Sequence, residues 1–395
     1  MYRTRWMQGI LWTGLVWFLL GIAWAPTNKI YQQGLVLLLW VPVLIATWSA
    51  RRVLWDVGRV NPLLCGTLLL FLLWAAASMI WSTAEAPLRE LKRILYVVLF
   101  LLVFPLIQAA RPEVIARAFR LACIGLSLAA LFSFYVFYVE PLRDVGVRIS
   151  GIGQLDHPIL GSYVMGLAIV WGLQFIPRSV AGRVCWAGLL SLPIIFIVLG
   201  QSRGAAIALL ICTCSMPLWS AGRRSWFIAG LMALLAIIGF IVFEPLVMAR
   251  GVSYRPEIFV ESLKMISQHP WLGLGINANY LVVTESYPHG FAHSHNGFTH
   301  AAIELGIPGL LLLTGVWFFA AVLAWRERSS LEGRLLLSTM LVAGAALQFD
   351  AASIWGSPRA EWFLVWLPIG LALALLTKAV GVKMPVNSEQ RANDE

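Results

Sequence analysis

The chain has 395 residues, of which 60% are hydrophobic and 12% charged, and a formal net charge of +10. A soluble domain carries roughly twice that share of charge, so a water-soluble globular fold is excluded. The basic excess has no hydrophilic domain around it, which removes nucleic acid as a partner.

The apolar residues fall in runs of roughly 15–22, the length that crosses about 30 Å of hydrocarbon as a helix. Backbone polar groups in lipid must be satisfied within the segment, so such runs are helices, and the period-two alternation of a membrane barrel is absent. In chain order the runs lie at about 8–25, 32–50, 62–80, 94–109, 119–138, 158–176, 185–200, 204–219, 226–243, 303–324, 335–350 and 361–377. The first is too long, and too poorly supplied with a small-residue cleavage site, for a removable signal peptide and is read as a span. Many of the 19 tryptophans stand near run ends, as Trp24, Trp48, Trp81, Trp219 and Trp325 do, in the pattern of an interfacial belt.

With Met1 inside, the cytoplasmic segments hold about 18 of the 29 Lys and Arg residues although their loops are short, which is the positive-inside asymmetry. The charge is thus a topology signal with an added attraction to anionic membrane lipids. The expected architecture is an all-α polytopic membrane protein of about twelve transmembrane helices with both termini cytoplasmic. Residues 1–243 form spans one to nine, 244–302 a large outer loop, 303–377 the last three spans and 378–395 a polar cytoplasmic tail. Cys65, Cys123, Cys185, Cys212 and Cys214 all lie in apolar runs, without disulfide or metal-ligand spacing.

The outer loop breaks the pattern of short connections, and long loops tend to be functional. Five of the six histidines lie in it: His269, His289, His293, His295 and His300. Histidine is the side chain that titrates near working pH. From Arg255 to Ile266 the apolar residues Ile258, Phe259, Leu263 and Ile266 share one helical face, and Glu257, Glu261 and Lys264 the other. This predicts an amphipathic surface helix with Pro256 at its first position and Arg255 at its N-cap, ending near His269-Pro270. Gly273 and Gly275 then supply a turn.

At Gly200-Gln-Ser202-Arg203-Gly204, Ser202 is the expected N-cap of the eighth run, with Arg203 in its first turn. A cation there opposes the helix dipole. Arg203 and Arg255 each stand at an outward-facing helix start, where free N–H groups and a guanidinium describe a phosphate or diphosphate site. Snorkelling to lipid headgroups, or pairing with a nearby carboxylate, is the plainer alternative. A third polar cluster, Arg143, Arg148, Asp156 and His157 before Pro158, reads either as substrate contacts or as ordinary loop polarity. His289 and His293 have the helical zinc spacing, but Pro288 and Gly290 argue against a helix, so neither metal nor cofactor is expected.

The segment His295-Asn296-Gly-Phe-Thr-His-Ala-Ala-Ile-Glu-Leu-Gly306-Ile-Pro-Gly309 resembles the O-antigen ligase and polymerase superfamily. That family's pattern is His, then Asn, Ser or Gln, nine residues, Gly, two residues, Gly. The Ser202-Arg203-Gly204 turn, Arg255 and Pro270-Trp-Leu-Gly-Leu-Gly275 also look like the family, and the likeness runs over about residues 145–310. One departure is Ile207 where the family has leucine four residues after the arginine, a mild change in an apolar helix.

The resemblance implies a GT-C-like glycosyltransferase of the bacterial inner membrane with its active site facing the periplasm. It implies transfer of O-antigen glycan from undecaprenyl diphosphate to a sugar of the lipid A core, inverting and without metal or nucleotide. His295 would be the base, and Arg203 and Arg255 would hold the diphosphate. Arg143, Arg148, Asp156, His157, His293 and Asn296 are candidate substrate contacts, and Asn296 is also the expected cap of a short helix 297–305. Polymerases that join lipid-linked repeat units share these features and remain an alternative. Protein oligosaccharyltransferases usually add a soluble C-terminal region, which the short tail argues against. A twelve-helix transporter is the rival of another class, although the spans are almost free of charge and no internal repeat is visible.

Overall fold

The computed structural model describes residues 4–84, 86–249, 254–350 and 354–383. Each of the twelve apolar runs lies on helical chain. The helices are α1 (Arg5–Trp24), α2 (Asn28–Leu35), α3 (Val41–Val60), α4 (Pro62–Ala77), α5 (Pro87–Ala110), α6 (Glu113–Phe134), α7 (Pro158–Gly172) and α8 (Val180–Leu199). They continue with α9 (Arg203–Cys214), α10 (Met216–Trp219), α11 (Arg223–Ala249), α12 (Arg255–Gln268), α13 (Gly297–Arg326), α14 (Leu331–Phe349) and α15 (Ala360–Lys383). Among the described residues, 8 helices are long and apolar enough to cross a membrane, while α7 and α9 are apolar but shorter. The second apolar run joins α2 to α3 through a π-helical turn, Val36–Trp40, just before Pro42, which has no amide hydrogen to continue the regular ladder.

The core sits around α15, which packs against α5, α14, α3 and α13. Its Phe363 stacks on Phe18 of α1 with centroids 4.6 Å apart, and its Trp362 meets Phe100 of α5 edge-on at 5.2 Å. Trp171 of α7 donates its indole N–H to Thr339 Oγ1 of α14 at 2.8 Å, satisfying a polar atom inside the bundle. Tryptophan is therefore as much core as belt. Trp24, Trp48 and Trp325 are exposed as an interfacial belt requires, but Trp219 is buried and the half-buried Trp81 donates to the Leu272 carbonyl at 3.1 Å.

Several expectations for the outer loop are corrected. The ninth apolar run ends at 243 by sequence, but the backbone of α11 stays helical to Ala249. The amphipathic helix is present as α12, with Tyr254 as its N-cap and Arg255 already its first residue, one position earlier than expected; Pro256 is then its second residue, where the first turn leaves the N–H without an intrahelical partner and proline is tolerated. It buries Ile258 and Ser262, four residues apart, while Phe259, Val260 and Leu263 stay exposed. The loop also departs from an all-α fold: β1 (Val282–Thr284) and β2 (Tyr287–Phe291) form an antiparallel hairpin. Its two-residue tip is fixed by Ser286 Oγ donating to Glu257 of α12 at 2.7 Å.

Gly306 has φ 69 and ψ −174, so α13 is two helices meeting at a kink. This conformation belongs almost solely to glycine. The break releases carbonyls that the 270–275 segment takes up: Leu274 N donates to Ile303 O at 2.8 Å and Gly275 N to Glu304 O at 2.7 Å. In return Ile307 N donates to Pro270 O at 2.7 Å. A side chain on Gly306 would run into the Trp271 carbonyl. The two glycine-containing stretches singled out in the sequence are thus the two halves of one joint.

Candidate active site

The site is assembled at the C-terminal end of α14. Asn296 caps α13 by accepting from Phe298 N at 2.9 Å and Thr299 N at 3.1 Å, as a helix N-cap should. Its amide nitrogen donates to Gln348 Oε1 of α14 at 3.0 Å. The preceding residue, His295, has φ 51, a left-handed conformation uncommon outside glycine. Strain of that kind gathers at functional sites. It brings His295 Nδ1 to 3.1 Å from Asp350 Oδ1.

Asp350 follows the last turn of α14 and is 8% exposed. Its other oxygen, Oδ2, accepts from Arg255 Nη2 at 3.3 Å, while Arg255 Nε donates to the Phe349 carbonyl at 2.8 Å. One carboxylate therefore holds both the histidine and one of the two arginines singled out by sequence. The negative end of the α14 dipole adds to the hold on the guanidinium. A carboxylate accepts, so in this contact Nδ1 carries the proton and Nε2 is the unprotonated nitrogen of the neutral ring.

Arg203 is the first residue of α9, capped by Ser202, whose Oγ accepts from Ala205 N at 3.4 Å. The adjoining Gly204 lies against the Tyr163 hydroxyl of α7 and against Phe349 of α14. The turn carrying Arg203 therefore touches the residue whose carbonyl Arg255 takes. Tyr163 is fully buried, its hydroxyl is without a hydrogen-bond partner, and it lies within electrostatic reach of Asp350 and Arg255. Arg148 braces the same turn from outside, with Nε donating to Gly200 O at 3.0 Å.

The remaining candidates divide. His157 caps α7 through Nδ1, which accepts from Leu160 N at 3.3 Å. With Asp156 it lines a cavity of about 350 Å³ whose far wall is Arg359 and Glu361. His293 packs on His295 with ring centroids 4.0 Å apart. Burial and the neighbouring His295 push the His293 imidazole down to about 4, and His157 is close enough to add to that effect. Arg143 lies apart from this cluster: it is exposed and its guanidinium sits 4.5 Å from the Phe137 ring. His300, one of the five histidines of the loop, is 4% exposed, with Nδ1 bonded to the Tyr280 hydroxyl at 2.5 Å. His289 lies on strand β2, so its spacing to His293 is not the helical one. Among the described residues no three His, Cys, Asp or Glu side chains gather as a metal site.

Sequence reasoning missed Asp350, Arg359 and Glu361. Asp350 was visible only as a carboxylate at a span end, and Gln348-Phe349-Asp350 is a polar close to an otherwise apolar run. That was the available signal.

A helical membrane protein that brings a histidine and an arginine of its long loop onto one carboxylate at a helix end, with a second arginine on the neighbouring turn, has the parts of a group-transfer enzyme. A family model described as O-antigen ligase matches residues 187–314. An O-antigen ligase of Pseudomonas aeruginosa is 30% identical over 379 residues, covering 94% of this chain and 91% of the relative. The chain belongs to the O-antigen ligase family of membrane enzymes.

Proposed function

We propose that the chain transfers O-antigen glycan from undecaprenyl diphosphate to a sugar hydroxyl of the lipid A core, at the periplasmic face of the inner membrane. In this reading twelve helices span the membrane in a GT-C-like arrangement, both termini are cytoplasmic, and the 244–302 loop carries the chemistry outside. The observation that carries it is Asp350, whose two oxygens lie 3.1 Å from His295 and 3.3 Å from Arg255. That contact ties a base to an anion-binding cation. Membership of an enzyme family sets the transporter reading aside.

The compartment outside the inner membrane holds no nucleotide, so the donor has to arrive activated, and a prenyl diphosphate is a leaving group that needs charge neutralisation rather than a proton. His295 Nε2 takes the proton of the acceptor hydroxyl as its oxygen attacks the anomeric carbon. The bond from that carbon to the diphosphate oxygen breaks, and its electron pair leaves on the diphosphate, where Arg203 and Arg255 meet the developing charge. A single displacement inverts the anomeric centre. The base contributes about 10²–10⁴-fold. His157 and the cavity it shares with Arg359 and Glu361 stand beside the base, where an acceptor sugar has to lie.

The test supplies purified protein with undecaprenyl diphosphate-linked glycan and a lipid A-core acceptor, without added metal or nucleotide, and compares wild type with His295→Ala. Glycan on the acceptor with wild type alone supports the proposal. Lengthening of the lipid-linked glycan instead assigns the polymerase reaction. No transfer of either kind by folded wild type sinks both.

A further inference from the structure

A second polar cavity lies on the same end of the bundle, away from His295, and none of the roles above uses it. It measures about 220 Å³, and Lys29 of α2 and Arg89, Lys92 and Arg93 of α5 line it. Among the described residues no carboxylate is part of the lining. The topology argument leaves this face poor in positive charge, so four cations around one small cavity require a reason other than the positive-inside bias.

Three observations say what kind of ligand fits. The first is that both arginines are anchored on one buried carboxylate, Arg93 more deeply than the exposed Arg89. Glu90, 1% exposed, accepts from Arg93 at 2.7 Å and Arg89 at 3.3 Å, and is itself held by Asn277 of the outer loop. The cavity is thereby tied to the loop that bears His295. The second is Trp40, 3% exposed and part of the cavity wall, whose indole N–H has no hydrogen-bond partner. A buried donor without a partner at a cavity wall suits a ligand that brings an acceptor oxygen. The third is that Gln32, Gln33 and Ser357 complete the polar lining, which suits sugar hydroxyls better than an acyl chain.

Ser357 also connects this cavity to the reaction site. Arg359, two residues on, lines the cavity that His157 shares, so the two cavities flank one short segment before α15. Building on the proposed function, we propose that the Lys29–Arg93 cavity is an acceptor subsite that binds a phosphate-bearing sugar of the glycolipid acceptor, while a more distal sugar of the same molecule reaches His295. The four cations meet the phosphate, and the indole, amide and hydroxyl groups meet the sugar.

The variant is Lys29→Gln with Lys92→Gln, which spares the Glu90 ion pairs and removes the charge while keeping a polar side chain. Transfer kinetics are measured with native acceptor and with acceptor stripped of phosphate by hydrofluoric acid. The expected result is a KM for native acceptor raised about tenfold in the variant, as loss of charged hydrogen bonds implies, with kcat and donor KM unchanged. Wild type should show the same rise on stripped acceptor, and the variant should no longer distinguish the two acceptors. Equal weakening toward both acceptors, or an altered donor KM, overturns the assignment. So does a defect that follows the anionic lipid content of the nanodiscs instead of the acceptor's phosphates, because the occupant is then a headgroup. If wild type transfers nothing, the reaction assignment fails by itself. Calorimetric binding of native and stripped acceptor to wild type and variant in nanodiscs then decides the subsite separately.

Discussion

Replacing Asp350 with asparagine keeps the size of the side chain and removes its charge, so it separates orientation from packing. Two contacts are affected, His295 Nδ1 at 3.1 Å and Arg255 Nη2 at 3.3 Å. An amide can turn its NH2 group toward Nδ1. The proton then sits on Nε2, and the base is lost without any change of shape. The expected fall in kcat is about 10²–10⁴-fold, the range for losing a positioned base or fixing its wrong tautomer. Arg255 keeps its bond to the Phe349 carbonyl at 2.8 Å, so the donor KM should move only a few-fold. Its side chain is 33% exposed, and the stability cost of the lost ion pair should stay near 1 kcal/mol. Transfer of glycan from lipid-linked donor, followed at saturating acceptor with Tm measured in parallel, gives both quantities. A folded Asp350→Asn enzyme with kcat within about threefold of wild type would refute the orienting role.

Other outcomes follow from the same geometry. Asn296→Ala removes the acceptor for two N–H groups at the start of α13 and the bond to Gln348, so stability should fall by roughly 1 kcal/mol and kcat with it, as thermal melts and transfer rates would show. Gly306→Ala forces a Cβ into the Trp271 carbonyl in a conformation that costs about 1–3 kcal/mol, so Tm and folded yield should both drop. His293 sits near 4, below its ordinary 6.5. The unfolded chain therefore takes up the proton first, and stability falls as pH drops through that window. His293→Gln should narrow the difference in Tm between pH 7 and pH 5, and an unchanged difference would show that His293 is not what titrates. Arg255→Lys keeps the charge but loses the fork that spans Phe349 and Asp350, so it should recover little of the activity lost in Arg255→Ala, measured in the same transfer assay.

Local chemistry was legible in the sequence wherever one residue decides its own neighbourhood. Ser202 and Asn296 cap helices because their side chains reach the next turn, and Gly306 breaks one because little else fits there. The positions of the apolar runs followed from the thickness of the hydrocarbon layer. Which faces of those runs meet was not legible. A helix in lipid is apolar both where it packs and where it faces acyl chains, so the stripe that marks the core of a soluble protein is erased. That is why Trp219 read as interfacial when it is buried, and why Asp350 could not be paired with His295 across 55 positions of chain. The hairpin at Val282–Phe291 was hidden for another reason: its strands are three and five residues long and its tip is held by Glu257 of α12, a partner outside the local segment.

The joint at Gly306 has a mechanical consequence. The short helix that follows His295 is set off from the axis of the long half of α13, and the 270–275 segment clamps both sides of the break: two backbone hydrogen bonds reach Ile303 and Glu304 of the short helix and one reaches Ile307 of the long half. That segment therefore holds the angle between the two halves from outside the helix. A movement of the 270–275 segment would shift the helix that begins just after His295 along with it.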